Sequence, residues 1–91
     1  MKIVMIGAGN VATNIAKTLA KIGETPTQIW SRTLASAEAL AETVDSCATS
    51  DWNSVMKDAD VYIVSVKDDA MLGVIEQLCS RCKHGVFVHT A

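Results

Sequence analysis

The chain has 91 residues, enough for one domain with a single core and too few for a second. Its residues are 49% apolar and 20% charged, a globular balance that excludes a disordered tail. The formal charge of -2, with eight Lys and Arg scattered along the sequence, speaks against a nucleic-acid partner, since such binders carry a clustered basic face.

Lys2 to Ile6 is an apolar, β-branched run too short for a helix and stopped at Gly7, which predicts a buried strand. From Asn10 the period becomes helical, with Val11, Ile15, Ala16, Leu19 and Ile22 on one stripe and Gly23 as the stop. Pro26 precedes a second strand, Thr27 to Trp30. Ser31-Arg32-Thr33 then leads into a helix capped by Thr33, with Ala37, Leu40, Ala41 and Val44 as its buried stripe. Cys47 to Thr49 reads as a third, short strand with Cys47 buried. Ser50 or Asp51 is the expected cap of a brief helical turn over Trp52 to Met56. Asp60 to Val66 is the clearest strand, apolar nearly throughout as a strand covered on both faces should be. Met71, Leu72, Ile75, Leu78, Cys79 and Cys82 mark the stripe of a last helix beginning near Ala70 and capped by Asp68 and Asp69. Gly85 to His89 makes a fifth strand.

Strands alternating with helices call for a parallel sheet, because each crossover helix returns the chain to the same end. The expected fold is α/β, a Rossmann-type parallel sheet of order 3-2-1-4-5 with helices on both faces. Ligands of such sheets bind beyond the carboxyl ends of the strands, at the switch between the first and fourth. Gly7, Ser31, Val66 and His89 all fall at or just past that edge.

The run VMIGAGNVAT, residues 4 to 13, places a glycine pair between a predicted strand and helix, and Ala12 stands third in the G-x-G-x-x-G spacing. Gly7 permits the tight turn and Gly9 lets a pyrophosphate approach the backbone. Ala12 falls where helix and sheet pack closely, a place where alanine substitutes for glycine. A helix starting near Asn10 presents free N–H groups and a positive dipole end to phosphates, and Asn10 itself can donate a hydrogen bond. The alternative is a glycine turn that joins strand to helix without a ligand.

A site for NAD usually places Asp or Glu after the second strand to accept hydrogen bonds from the ribose. This chain has Ser31-Arg32-Thr33 there, and Glu24 lies before the strand, at the opposite edge. A guanidinium between two hydroxyls at the start of a helix suits a dianionic 2′-phosphate, which favours NADP. The alternative makes Arg32 a solvated surface residue and Thr33 only a cap.

The remaining chemistry is thinner. Cys79 and Cys82, with His84 near, resemble a metal half-site or redox pair, yet both sulfurs fall on the predicted apolar stripe and read as core, so no metal is expected. Three cysteines in all, with Cys47, fit a reducing compartment rather than a disulfide scaffold. His89 at the ligand edge and Lys67 after the fourth strand are the candidate proton donors, each also explicable as a residue bordering cofactor or solvent. Trp30 and Trp52 read as packing residues, with Trp30 placed to border an adenine. No apolar run approaches the roughly 18 to 20 residues that cross a bilayer, and nothing resembles a secretory signal. The expectation is a soluble, cytoplasmic protein with no membrane partner.

IGAGNVA, SRT after the second strand, VSVKDDAM after the fourth and VFVHTA closing the fifth together resemble the NADP-binding domain of pyrroline-5-carboxylate reductases, deazaflavin-dependent NADP reductases and ketopantoate reductases. The similarity covers the whole chain and is greatest to the poorly characterised oxidoreductase-like members of that superfamily. It implies that Gly7, Gly9, Asn10, Val11 and Ala12 line the pyrophosphate, and that Ser31, Arg32 and Thr33 hold the 2′-phosphate. By the same resemblance Val66, Lys67 and Asp68 border the nicotinamide riboside, and Thr90 approaches it from the fifth strand. It further implies a helical domain for substrate and dimerisation, which these 91 residues are expected to lack. Three function classes follow. They are the cofactor domain of an NADP-dependent reductase of a small carbonyl or imine, a non-catalytic dinucleotide-binding or redox-sensing module, and an S-adenosylmethionine methyltransferase. The last wants acidic residues near the first strand and after the second, and neither is present. The apolar edge Val86 to Val88 invites pairing, so a homodimer is the expected assembly.

Overall fold

The computed structural model describes residues 1–82 and 85–90. Along the chain run β1 (Ile3–Ile6), α1 (Asn10–Lys21), β2 (Gln28–Trp30), α2 (Leu34–Val44), β3 (Cys47–Thr49), a 3-10 turn (Trp52–Ser54), β4 (Val61–Val64), α3 (Asp68–Arg81) and β5 (Val86–His89). The strands form one parallel sheet of order β3-β2-β1-β4-β5, the expected Rossmann-type arrangement. β1 is central and buried at every residue, because it is paired on both edges and covered on both faces.

Alternation along the strands sorts the core into two layers. Val4, Ile6, Trp30, Tyr62 and Val64 face α3, which presents Val74 and Leu78, with Cys82 just past its end. Met5 and Ile29 face α1 and α2, which present Ala12, Ala16, Ala37, Leu40, Ala41 and Val44. The small residues on α1 let it lie close to the sheet. Ala12 and Ala16 are fully buried as expected, whereas Val11 and Ile22 of the expected stripe are 46% and 67% exposed.

Similar departures occur elsewhere. The buried row of α3 is Val74 and Leu78, continued by Cys82 just past its end, so Leu72 and Cys79 turn to solvent and the two sulfurs do not share a face. Cys47 is exposed because β3 is an edge strand. The expected turn over Trp52 to Met56 is a shorter 3-10 turn, capped by the Asp51 carboxylate, which accepts from the Asn53 N–H at 2.9 Å. β4 ends at Val64, short of the expected Val66, and it is alternately rather than continuously buried, because α1 and α2 lie over β1 and β2. α3 begins at Asp68 with Lys67 in the cap position, so Asp68 and Asp69 are first-turn residues that cap nothing. Thr33 does hold the cap position of α2, but its hydroxyl makes no capping bond. His84 lies outside the described residues. Among those described, no helix is long and apolar enough to cross a membrane.

Candidate functional site

Backbone hydrogen bonds tie the carboxyl ends of the central strands together. The Gly7 N–H donates to the Trp30 carbonyl at 2.7 Å, the Ser65 N–H to the Ile6 carbonyl at 2.8 Å, and the Thr90 N–H to the Val64 carbonyl at 3.0 Å. Two adjoining clefts open above this edge. In the larger, of about 440 Å³, the β1 loop supplies Gly7, Ala8 and Gly9. The end of β2 supplies Trp30, Ser31 and Arg32, with Ser36 from α2, and the end of β4 supplies Ser65, Val66 and Lys67, with Asp69 from α3. The smaller, of about 400 Å³, shares Gly9, Ser65, Val66 and Lys67 and adds Asn10, Val11, Asp68 and Thr90. Gly9 therefore stands at the junction of the two.

The two glycines of the loop differ in their physical reasons. Gly7 has φ +116°, and a Cβ there would lie 2.1 Å from the Ser65 carbonyl oxygen, so only glycine lets the ends of β1 and β4 close up. At Gly9 a Cβ would meet nothing within 4 Å, so the space above it is open. Gly9 is also the N-cap residue of α1, and no side chain caps that helix. The first-turn N–H groups of Asn10, Val11 and Ala12 have no acceptor within the helix, whose bonding begins where the Thr13 N–H meets the Gly9 carbonyl at 2.9 Å. The residues present fit a diphosphate here: donors, open space and a positive dipole end coincide. Ala12 contributes only its N–H, since its side chain is buried between helix and sheet.

On the β2 side, Ser31 is 9% exposed, and its hydroxyl accepts from the Thr33 N–H at 3.4 Å, which shapes the turn and leaves its own proton free to donate. Arg32 is exposed and makes no ion pair among the described residues. Thr33 is exposed and lies outside both clefts, and Ser36, one turn into α2, lines the larger one instead. Trp30 is buried and stacks on Trp52 with ring centroids 4.1 Å apart and planes 25° apart. The Gln28 side chain holds this arrangement from below, donating to the Ser54 carbonyl at 2.7 Å and accepting from the Met56 N–H at 2.8 Å. The buried Trp30 Nε1 finds no acceptor among the described residues.

On the β4 side, Val66 and Lys67 border both clefts, and Asp68 and Thr90 border the smaller. His89 ends β5 exposed and lines neither. Reading the sequence missed Ala8, Ser36, Ser65 and Asp69. Ser65 alone carried a signal, a polar residue closing an apolar strand. Glu24 stands at the other edge, 3.6 Å from the N-terminal amine.

Residues 2–90 match the family model described as NADP oxidoreductase, coenzyme F420-dependent. The chain belongs to that family. The family is one of NADP oxidoreductases and NADP is accordingly the cofactor, in line with the superfamily resemblance carried by IGAGNVA, SRT and VSVKDDAM. A candidate NADP oxidoreductase from Bacteroides fragilis is 42% identical with a TM-score of 0.91, over 99% of this chain and 35% of its own. A pyrroline-5-carboxylate reductase from Coxiella burnetii is 26% identical with a TM-score of 0.82, over 98% of this chain and 35% of its own. An imine reductase from Myxococcus stipitatus, solved with NADP+, shares the fold at 22% identity and a TM-score of 0.80, over 98% of this chain and 31% of its own. The chain thus spans about a third of the length of these structures. Comparison with curated proteins finds no match.

Proposed function

We propose that these residues form the NADP(H)-binding part of a reductase that moves a hydride between NADPH and a small carbonyl or imine. The observation that carries the reading is the junction at Gly9, where open space meets uncapped helix N–H groups between one cleft holding Ser31 and Arg32 and another holding Asn10 and Thr90. In this reading the pyrophosphate lies over Gly9 against the N–H groups of Asn10, Val11 and Ala12. Ser31 and Arg32 take the 2′-phosphate together with Ser36, and Thr33 serves by donating its N–H to the Ser31 hydroxyl. Val66, Lys67, Asp68 and Thr90 border the nicotinamide riboside. Of the two proton-donor candidates, Lys67 borders both clefts and His89 neither, so the geometry favours Lys67.

NADPH supplies the hydride; the protein supplies orientation and electrostatics. The carbonyl or imine class rests on the names of the relatives, a pyrroline-5-carboxylate reductase and an imine reductase. The substrate pocket belongs, in this proposal, to a helical partner domain that excludes water from the nicotinamide. The exposed Val86 and Val88 of β5 offer an edge for a homodimer.

Titration with NADPH and NADH, on the parent chain and on Arg32→Ala, tests the reading. A charged hydrogen bond contributes about 1.5 to 3 kcal/mol, so Arg32→Ala should weaken NADPH by roughly ten- to a hundredfold and leave NADH nearly unchanged. Equal affinity for both dinucleotides in both proteins would overturn it.

A further inference from the structure

The larger cleft contains a carboxylate that neither the fold nor the phosphates require. Among the described residues Asp69 is the only carboxylate lining the larger cleft. Its place in the first turn of α3 favours an anion, yet its carboxylate caps no N–H and joins no ion pair among the described residues. β1 lies between β2 and β4, so Asp69, just past β4, stands on the wall opposite Ser31 and Arg32, just past β2.

We infer that Asp69 recognises the adenine of the bound dinucleotide, its carboxylate accepting a hydrogen bond from the exocyclic amine. The inference rests on the dinucleotide reading above. An ionised carboxylate only accepts, and it repels phosphate; the adenosine half of the dinucleotide carries no cation, so its partner for Asp69 is a neutral donor. The adenosine half of NADP has few such groups. Its pyrophosphate lies over Gly9 and its 2′-phosphate at Arg32, which also keeps the neighbouring ribose 3′-hydroxyl on the Arg32 side. The base, attached at the anomeric carbon, is the part that crosses the cleft, and its amine is the donor at its far edge. A carboxylate there reads that amine and turns phosphates back toward Arg32.

The test compares NADPH with its hypoxanthine analogue, in which a carbonyl oxygen replaces the amine. The parent should bind the adenine form about tenfold more tightly, the lower end for a hydrogen bond to an exposed charged group. Asp69→Ala should bind the two equally, and Asp69→Asn, whose amide can donate to the hypoxanthine oxygen, should narrow the difference as well. Arg32→Ala should weaken both in parallel and keep the adenine preference. A parent without that preference, or an Asp69→Ala variant that retains it in full, overturns the assignment. Arg32-dependent NADPH binding without any adenine preference sinks the Asp69 assignment alone, whereas failure of the parent to bind either dinucleotide sinks the cofactor site with it.

Discussion

The carbonyl oxygen of Ser65 lies where a side chain on Gly7 would begin, with only 2.1 Å between that oxygen and a Cβ, on a backbone with φ +116°. This closure joins the two strands flanking the switch point and makes the floor of the cleft out of backbone. Gly7→Ala combines a disfavoured backbone conformation with a steric overlap, and should cost about 2 to 6 kcal/mol in denaturant unfolding. Parent-like stability would show that the strands can part without loss.

Gly9→Ala should behave in the opposite way. Its φ of -79° suits any residue and its Cβ would meet nothing, so stability should change by less than about 1 kcal/mol. NADPH affinity should nevertheless fall at least about tenfold, because the methyl enters the space assigned to the pyrophosphate. Calorimetric titration beside a thermal melt separates the two effects.

Ser31→Asp keeps the local turn, since a carboxylate can accept from the Thr33 N–H as the hydroxyl does. It also sets a negative charge beside Arg32. NADPH binding should fall by more than in Arg32→Ala, while NADH gains an acceptor for its ribose and loses nothing. The quantity to measure is the ratio of the two dissociation constants at fixed salt.

Tyr62 should make stability fall at alkaline pH. Burial, and then the neighbouring Cys82, push its phenol up from 10.0 to about 12. Below pH 10 its contribution is complete; between pH 10 and about 12 the unfolded chain ionises first, and stability declines. The hydroxyl also accepts from the Ala59 N–H at 3.2 Å and donates to the Met56 carbonyl. Tyr62→Phe should therefore cost about 1 to 3 kcal/mol at neutral pH and flatten the alkaline slope, both measurable by urea unfolding across pH.

Thiol alkylation of the native protein should modify Cys47 and Cys79 and spare Cys82. The first two are exposed, and the third is packed beneath α3 with Val74 and Leu78. Mass spectrometry with and without denaturant reads the difference directly. Rapid native modification of Cys82 would contradict the packing of α3.

Much of the fold was legible in the residues. VMIGAG followed by a helical period announces strand, turn and helix, and the alternation that continues to VFVH yields the parallel order. Those signals are local, set by periods and turn chemistry within a few residues. The faces of the helices were less legible. Ala12 and Ala16 were placed correctly against the sheet, but Val11 and Ile22 were put on the same stripe and are exposed, because close approach of α1 to the sheet rewards small residues over large ones. Cys79 was misread for a different reason, because the buried row of α3 runs through Val74 and Leu78. A one-residue rotation of the stripe leaves the sequence pattern almost unchanged and moves a side chain from core to solvent.

The residues near Gly7 and Arg32 carried the expectation of phosphate chemistry from the chain alone, because a turn that only glycine can make and a guanidinium after a strand keep their meaning without neighbours. Which side chains share a cleft was decided by the tertiary structure. Ser36 lines the larger cleft and Thr33 does not, and Asp69 shares that cleft with Arg32 although β1 lies between the strands that precede them. Proximity across a sheet depends on strand order and helix rotation, and no short stretch of sequence encodes either.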